Sequence, residues 1–264
     1  MSGEATELRR AALDALAITD PAAKCAAVDA LVPATSVDAR AALREPARLP
    51  GRPARPRLVP PQRVPRRSPH TAAGRAALLH AVAHIEFNAI NLALDAIWRY
   101  AGMPETYYRD WLRVAGEEAH HYALLAQHLT TLGHAYGDCD AHDGLWAMCE
   151  KTKHDVVARM ALVPRTLEAR GLDATPPMQR KLARADDRRA VEILGIILRD
   201  EVGHVAIGNR WYRWACARDR LDPLAHYAAL VERYGAPKLK GPFNVEARMR
   251  AGFGAEELAA LNRP

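Results

Sequence analysis

The sequence predicts an all-α protein organised around a four-helix bundle, and three observations carry that reading. From Gly74 to about Cys216, apolar residues recur at offsets of three, four and seven, and no alternating strand pattern interrupts them. The breaks in this periodicity are helix stops: Gly102 with Pro104 beyond it, Gly133, Gly171, and the Pro176-Pro177 pair. The third observation is a glutamate arrangement that occurs twice. Glu86 stands 32 residues before Glu118-Ala119-His120-His121, and Glu168 stands 33 residues before Glu201-Val202-Gly203-His204.

Residues 1–45 read as an N-terminal helical segment with two or three short helices from residue 3 onward. Leu8, Ala12 and Leu16 have helical spacing, and Asp20-Pro21 reads as an N-cap followed by proline in the first turn. Between Arg44 and His70 the character changes abruptly, with eight prolines and eight arginines. A helix cannot survive that proline density, so residues 46–73 are expected as an extended, polyproline-like arm. The bundle is expected over 74–218. Its first helix should span about 75–101 and its second about 105–132. Its third should start near Asp143 and continue, bent at Pro164, to Gly171, and its fourth should span about 188–217. Residues 172–187 read as a connector with at most a short helix. Residues 219–264 read as a tail packed on the bundle, with one or two helices and a Lys-Gly-Pro-Phe-Asn turn at 240–244.

A chain of 264 residues can bury a sizeable core. Cys25, Cys139, Cys149 and Cys216 are scattered, with no Cys-x-x-Cys, so neither a zinc knuckle nor a disulfide framework is expected. Cys149 and Cys216 should pack as small apolar residues on helices. No apolar run approaches the ~20 residues that cross a bilayer. Met1 to Arg10 lacks the apolar core of a signal peptide, so a cytoplasmic protein without a membrane role is expected. The net charge is +6, and much of the excess lies in the arm. The arm reads either as a strap with paired or solvated arginines, or as an anion-binding arm for RNA, DNA or a phosphorylated substrate. Its lack of aromatics for base stacking favours the strap.

Glu-x-x-His places a carboxylate and an imidazole one turn apart on one helix face. With fifteen glutamates and eleven histidines one such match would mean little, so the helix faces decide. Glu86 shares its face with Leu79, Val82, Ala83, Ala89, Ile90 and Ala93. Glu118 shares its face with Trp111, Val114, Ala115 and Leu125, and Glu201 with Leu194, Ile197, Leu198 and Val205. The overlapping pair Glu117 and His120 falls on a face with Asp110, Arg113 and His128, which reads as solvated. A carboxylate in an apolar core is costly unless something neutralises it. Glu168 shares its face with Val157, Ala161 and Pro164 but also with Arg165 and Gly171. Glu150, His154 and Asp155 on the same helix are its alternatives, and the near-equal spacing of the two halves selects Glu168.

These residues form the ligand set of a two-metal carboxylate site. Glu86 and Glu168 would be terminal ligands, Glu118 and Glu201 bridges, and His121 and His204 would each complete one metal. Two iron ions are the natural occupants, manganese suits the same donors, and zinc would ask for more His or Cys. Open positions would admit dioxygen, so O2, an oxidisable substrate and a reductase are the expected partners. Tyr122, four residues beyond Glu118, and Tyr212, eleven beyond Glu201, lie near those faces. They are candidates for donors to the site or redox partners, though core packing is the favoured reading.

The segments Ala83-His84-Ile85-Glu86, Glu117-Glu118-Ala119-His120-His121, Leu167-Glu168-Ala169-Arg170-Gly171-Leu172-Asp173 and Arg199-Asp200-Glu201-Val202-Gly203-His204 resemble an uncharacterised bacterial family of the ferritin-like, di-iron carboxylate superfamily. The Pro-Gly-Arg-Pro arm and the Gly-Pro-Phe-Asn tail resemble it too, so the likeness covers nearly the whole chain. The resemblance implies the ferritin-like four-helix bundle and supports Glu168 over its rivals, but it implies no substrate. Relatives in that superfamily include tRNA hydroxylases, fatty-acid desaturases and iron-storage proteins, so fold analogy leaves the function open. The expected function is a di-iron oxidase or hydroxylase, with tRNA or another nucleic acid as one version of its substrate. Iron handling or peroxide detoxification is the first alternative, and a metal-free helical interaction module is the second.

Overall fold

The structure is a computed structural model that describes residues 7–31, 36–64 and 68–261. Parts of the predicted N-terminal segment (1–6 and 32–35), of the arm (65–67) and of the tail (262–264) lie outside the described residues. The described regular elements are all helical, apart from isolated bridges pairing Glu7 with Ser36 and Leu58 with Ala141. The chain packs as two compact units, residues 1–144 and 145–264, a boundary that falls within the segment predicted as the bundle.

The first unit opens with α1 (Leu8–Ala17) and α2 (Pro21–Leu31). The Glu7 carboxylate caps α1 by accepting from the amides of Arg9 and Arg10. Asp20 Oδ1 accepts from Ala23 N at 2.8 Å, so the Asp-Pro start of α2 forms as its sequence predicts. Two long helices follow, α3 (Ala72–Arg99) and α4 (Glu105–Thr131), within a turn of their predicted bounds. Thr71 Oγ1 accepts from Gly74 N at 3.1 Å and caps α3. The tight connection through Gly102, whose φ of 75° suits glycine, makes α3 and α4 antiparallel neighbours. By length and composition α3 could cross a membrane, but most of it is buried inside the protein, as in a core helix.

Over its described residues before α3, which takes up its last two positions, the arm is extended except for a 3₁₀ turn at Pro61–Arg63. It lies along the first unit as a strap. Gly51 N donates to Leu16 O at 2.8 Å, and a Cβ on Gly51 would come 2.1 Å from Ala17 O, so only glycine fits. The buried Lys24 ammonium ties the strap down, donating to Gly51 O at 3.0 Å, to Leu16 O at 3.1 Å, and to Asn91 Oδ1 on α3. Arg52 pairs with Asp143 at 2.7 Å, and the Arg57 guanidinium donates to Asp140.

The second unit departs from the predicted third helix. In place of one bent helix there are α5 (Gly144–Lys151), α6 (Val156–Leu162), a π-turn (Val163–Glu168) and α7 (Ala169–Arg184). The first break is capped from both sides. Asp155 Oδ1 accepts from Ala158 N at 2.9 Å, and buried Arg159 donates back to Cys149 O at 2.7 Å in the last turn of α5. At Pro164 the missing N–H and the ring's clash with the preceding turn widen the helix instead of ending it. The Thr166 hydroxyl supports the widened turn by donating to Ala161 O at 2.7 Å.

The expected connector at 172–187 is corrected: α7 runs straight through Pro176 and Pro177. Pro176 cannot donate to Leu172 O, but Asn244 Nδ2 does so from the tail, at 3.2 Å. A distant side chain replaces the lost backbone donor. Helix α8 (Arg188–Arg218) matches its predicted bounds and runs antiparallel to α7, with Gln179 Nε2 donating to Val191 O at 3.2 Å. The tail carries α9 (Pro223–Tyr234), α10 (Val245–Arg250) and α11 (Ala255–Leu261), one helix more than expected. Short polar caps start the first two, Asp222 on Ala225 N and Asn244 on Ala247 N.

Candidate metal centre

In the first unit, α3 and α4 carry Glu86 and Glu118 at similar distances from the Gly102 turn and bring them together with His121. All three side chains are buried. His121 Nδ1 lies 3.2 Å from Glu86 Oε2 and 3.4 Å from Glu118 Oε2, and one ligating atom from each residue falls within a 4.8 Å group. Donors sharing one metal at ~2.1 Å sit about 3 Å apart when they occupy adjacent corners of an octahedron. The imidazole–carboxylate separations therefore fit a single ion, and the O/N donor set fits iron or manganese. Burial alone would lower the His121 pKa, but hydrogen bonds and charges from Glu118 and Glu86 outweigh it and lift it to about 11. Without a metal, the two carboxylates favour the protonated form of the His121 imidazole.

The neighbouring faces sort largely as the pattern predicts. Glu117 is half-buried and His120 is exposed. His128, expected on the solvated side, is instead buried, with Nδ1 3.2 Å from Thr131 Oγ1. Tyr122 packs edge-on to Tyr136, with ring centroids 5.2 Å apart, and lies against Phe87. Burial pushes its hydroxyl pKa well above the ordinary value.

In the second unit, Glu201 and His204 are buried one turn apart on α8, with His204 Nδ1 3.9 Å from Glu201 Oε1. Glu168 is buried at the end of the π-turn. That turn presses on α8 where Pro164 meets Gly208. With Gln179 meeting Val191 further along, the antiparallel register sets residue 168 level with residue 204. Helix α7, in the place of the expected connector, runs back alongside α8 from the turn. The alternatives to Glu168 have other surroundings: Glu150 pairs with Lys153 at 3.4 Å, His154 is exposed, and Asp155 caps α6. The Tyr212 hydroxyl donates to Pro223 O at 2.7 Å.

Sequence reasoning missed Arg165. Counted only as a polar blemish on the Glu168 face, it is buried among the rings of Tyr212, Tyr227 and Phe253, about 5 Å from each centroid. Local sequence carries no signal for this, because the rings come from three separate tail and helix positions.

Comparisons with known proteins place the chain among relatives without assigning a reaction. The family described as a protein of unknown function (DUF455) matches residues 17–259. A Haemophilus influenzae protein described as uncharacterized is 53% identical over 213 residues, 78% of this chain and 74% of the relative. No solved structure matches.

Proposed function

The chain belongs to the DUF455 family, and we propose that it is a ferritin-like, two-metal carboxylate protein that oxidises or hydroxylates a substrate with dioxygen. The single observation that supports this most is His121 Nδ1 held by the buried Glu86 and Glu118 carboxylates. Such a cluster in an apolar core is costly unless cations compensate it, and the same Glu-x-x-His arrangement recurs in Glu201 and His204. The proposed ligands are Glu86, Glu118, His121, Glu168, Glu201 and His204, holding two iron ions, with manganese as the other metal the donors suit. When bound, the metals supply electron transfer to dioxygen.

The residues of the chain do the rest. The glutamates offset the metal charge, and His121 yields its proton to become a neutral nitrogen donor. In the first unit the apolar faces of α3 and α4 exclude water from Glu86, Glu118 and His121. Pairing of Arg52 and Arg57 with Asp143 and Asp140 supports the strap reading of the arm over an RNA-binding one.

Elemental analysis of purified full-length protein tests the proposal, alongside Glu118→Ala and Glu201→Ala. Two irons or manganese per chain, lost from both variants, is the expected result. A wild type that stays empty after anaerobic iron loading would overturn it.

A further inference from the structure

The tail wraps the turn that carries Glu168. Three residues before Glu168, the buried Arg165 guanidinium donates to Glu257 on α11 and to Asn209 Oδ1 on α8 at 2.5 Å. Directly after Glu168, Arg248 on α10 is wholly buried and donates to Ala169 O at 3.3 Å and to the Asp173 carboxylate at 2.6 Å. Phe253 lies between these two arginines, 4.9 Å from one guanidinium and 5.3 Å from the other. A small apolar core beneath joins Ala169 and Leu172 to Val205, the residue after His204, and to Ala251 and Phe253.

A buried charge is held this firmly only at a cost. A tail needed merely to cover α7 could do so with leucines. Here two arginines, each fixed by a carboxylate and by rings, flank Glu168: Arg165, within the turn, reaches out to Glu257 in the tail, and Arg248, from the tail, donates to the Ala169 carbonyl just after it. A π-turn is also the least regular point of the helix and the one most in need of outside support. We infer that Arg165 is a positioning residue: with Arg248 it clamps the C-terminal segment 243–258 onto the π-turn and holds Glu168 in ligating place, which makes the tail part of the metal site.

The inference rests on the two-metal reading, and anaerobic Fe(II) titration of the metal-free full-length protein separates the two. The variants are Arg165→Gln, Glu257→Gln and, as a stability control, Asp222→Ala. The control removes the α9 cap on Ala225 N and none of the hydrogen bonds that Arg165, Arg248 or Glu257 makes. Wild type is expected to bind two Fe(II). Arg165→Gln and Glu257→Gln should keep one binding step and weaken the other by about 10–100-fold, with helical circular dichroism retained, and Asp222→Ala should keep both steps. Should Arg165→Gln fail to fold, Glu257→Gln, which leaves Arg165 and its rings in place, decides. Two unchanged steps in Glu257→Gln, or equal weakening in Asp222→Ala, would overturn the positioning role while leaving the metal reading intact. No Fe(II) uptake by wild type would remove both.

Discussion

Pro164 packs so tightly against Gly208 that a Cβ on the glycine would lie 2.6 Å from the proline Cβ. The π-turn and α8 are fitted to each other at this point, and the proline ring cannot rotate away. Gly208→Ala should therefore destabilise the protein by about 1–3 kcal/mol through overpacking. Thermal or urea denaturation reads this out. An unchanged midpoint would mean that the turn yields freely at this contact.

The unusual passage of α7 through two prolines depends on Asn244, which donates to Leu172 O and also accepts from Ala247 N to cap α10. Asn244→Ala removes both bonds at once. The expected loss is about 1–3 kcal/mol, measured as a shift in the urea midpoint. A loss no larger than that of an exposed surface substitution would show that α7 tolerates its prolines unaided.

His80 is buried, and its Nε2 accepts from Gly137 N at 2.8 Å, which requires a ring nitrogen free of its proton. Burial lowers its pKa below the ordinary 6.5. As pH falls through that ordinary value the unfolded chain gains a proton that the folded chain refuses, so stability is lost on acidification. His80→Gln keeps an acceptor oxygen and removes the titration. Between about pH 7.5 and about pH 5.5, wild type should lose more stability than the variant in urea melts. Equal losses would refute the neutral assignment.

Metal loading should be acid-sensitive for a related reason. With its pKa lifted to about 11 by Glu118 and Glu86, His121 carries a proton at neutral pH that a metal must expel. Calorimetric titrations in two buffers of different ionisation enthalpy should report release of about one proton from this residue, absent in His121→Ala. Tight loading with no proton release in wild type would contradict the arrangement.

The sequence made the helices of the first unit legible because their signals are local. Apolar residues repeat at helical spacing along α3 and α4, and Asp20 and Gly102 stand where a cap and a turn need them, although the Thr71 cap starts α3 inside the stretch expected as arm. The buried triad was legible for the same reason. Once a helix is granted, Glu118 and His121 share a face by spacing alone, and the short turn brings Glu86 opposite. Where residues distant in the chain decide the outcome, the reading failed. Pro176-Pro177 looks like a helix stop, and nothing near it announces that Asn244 supplies the missing donor. Arg165 looks like a solvated charge until the three rings and Glu257 meet around it.

By itself, then, the sequence determined the all-helical class, the long helices α3, α4 and α8, and the pairing of Glu118 with His121, since backbone propensity and the 3.6-residue period act over a few neighbours. Only the tertiary structure decided that α7 continues through its prolines, that Pro164 widens a helix rather than ending it, and that the tail grips the turn bearing Glu168. The first and last of those outcomes depend on satisfying a backbone or charged group with a partner tens of residues away, and such a partner exists only once the chain has folded.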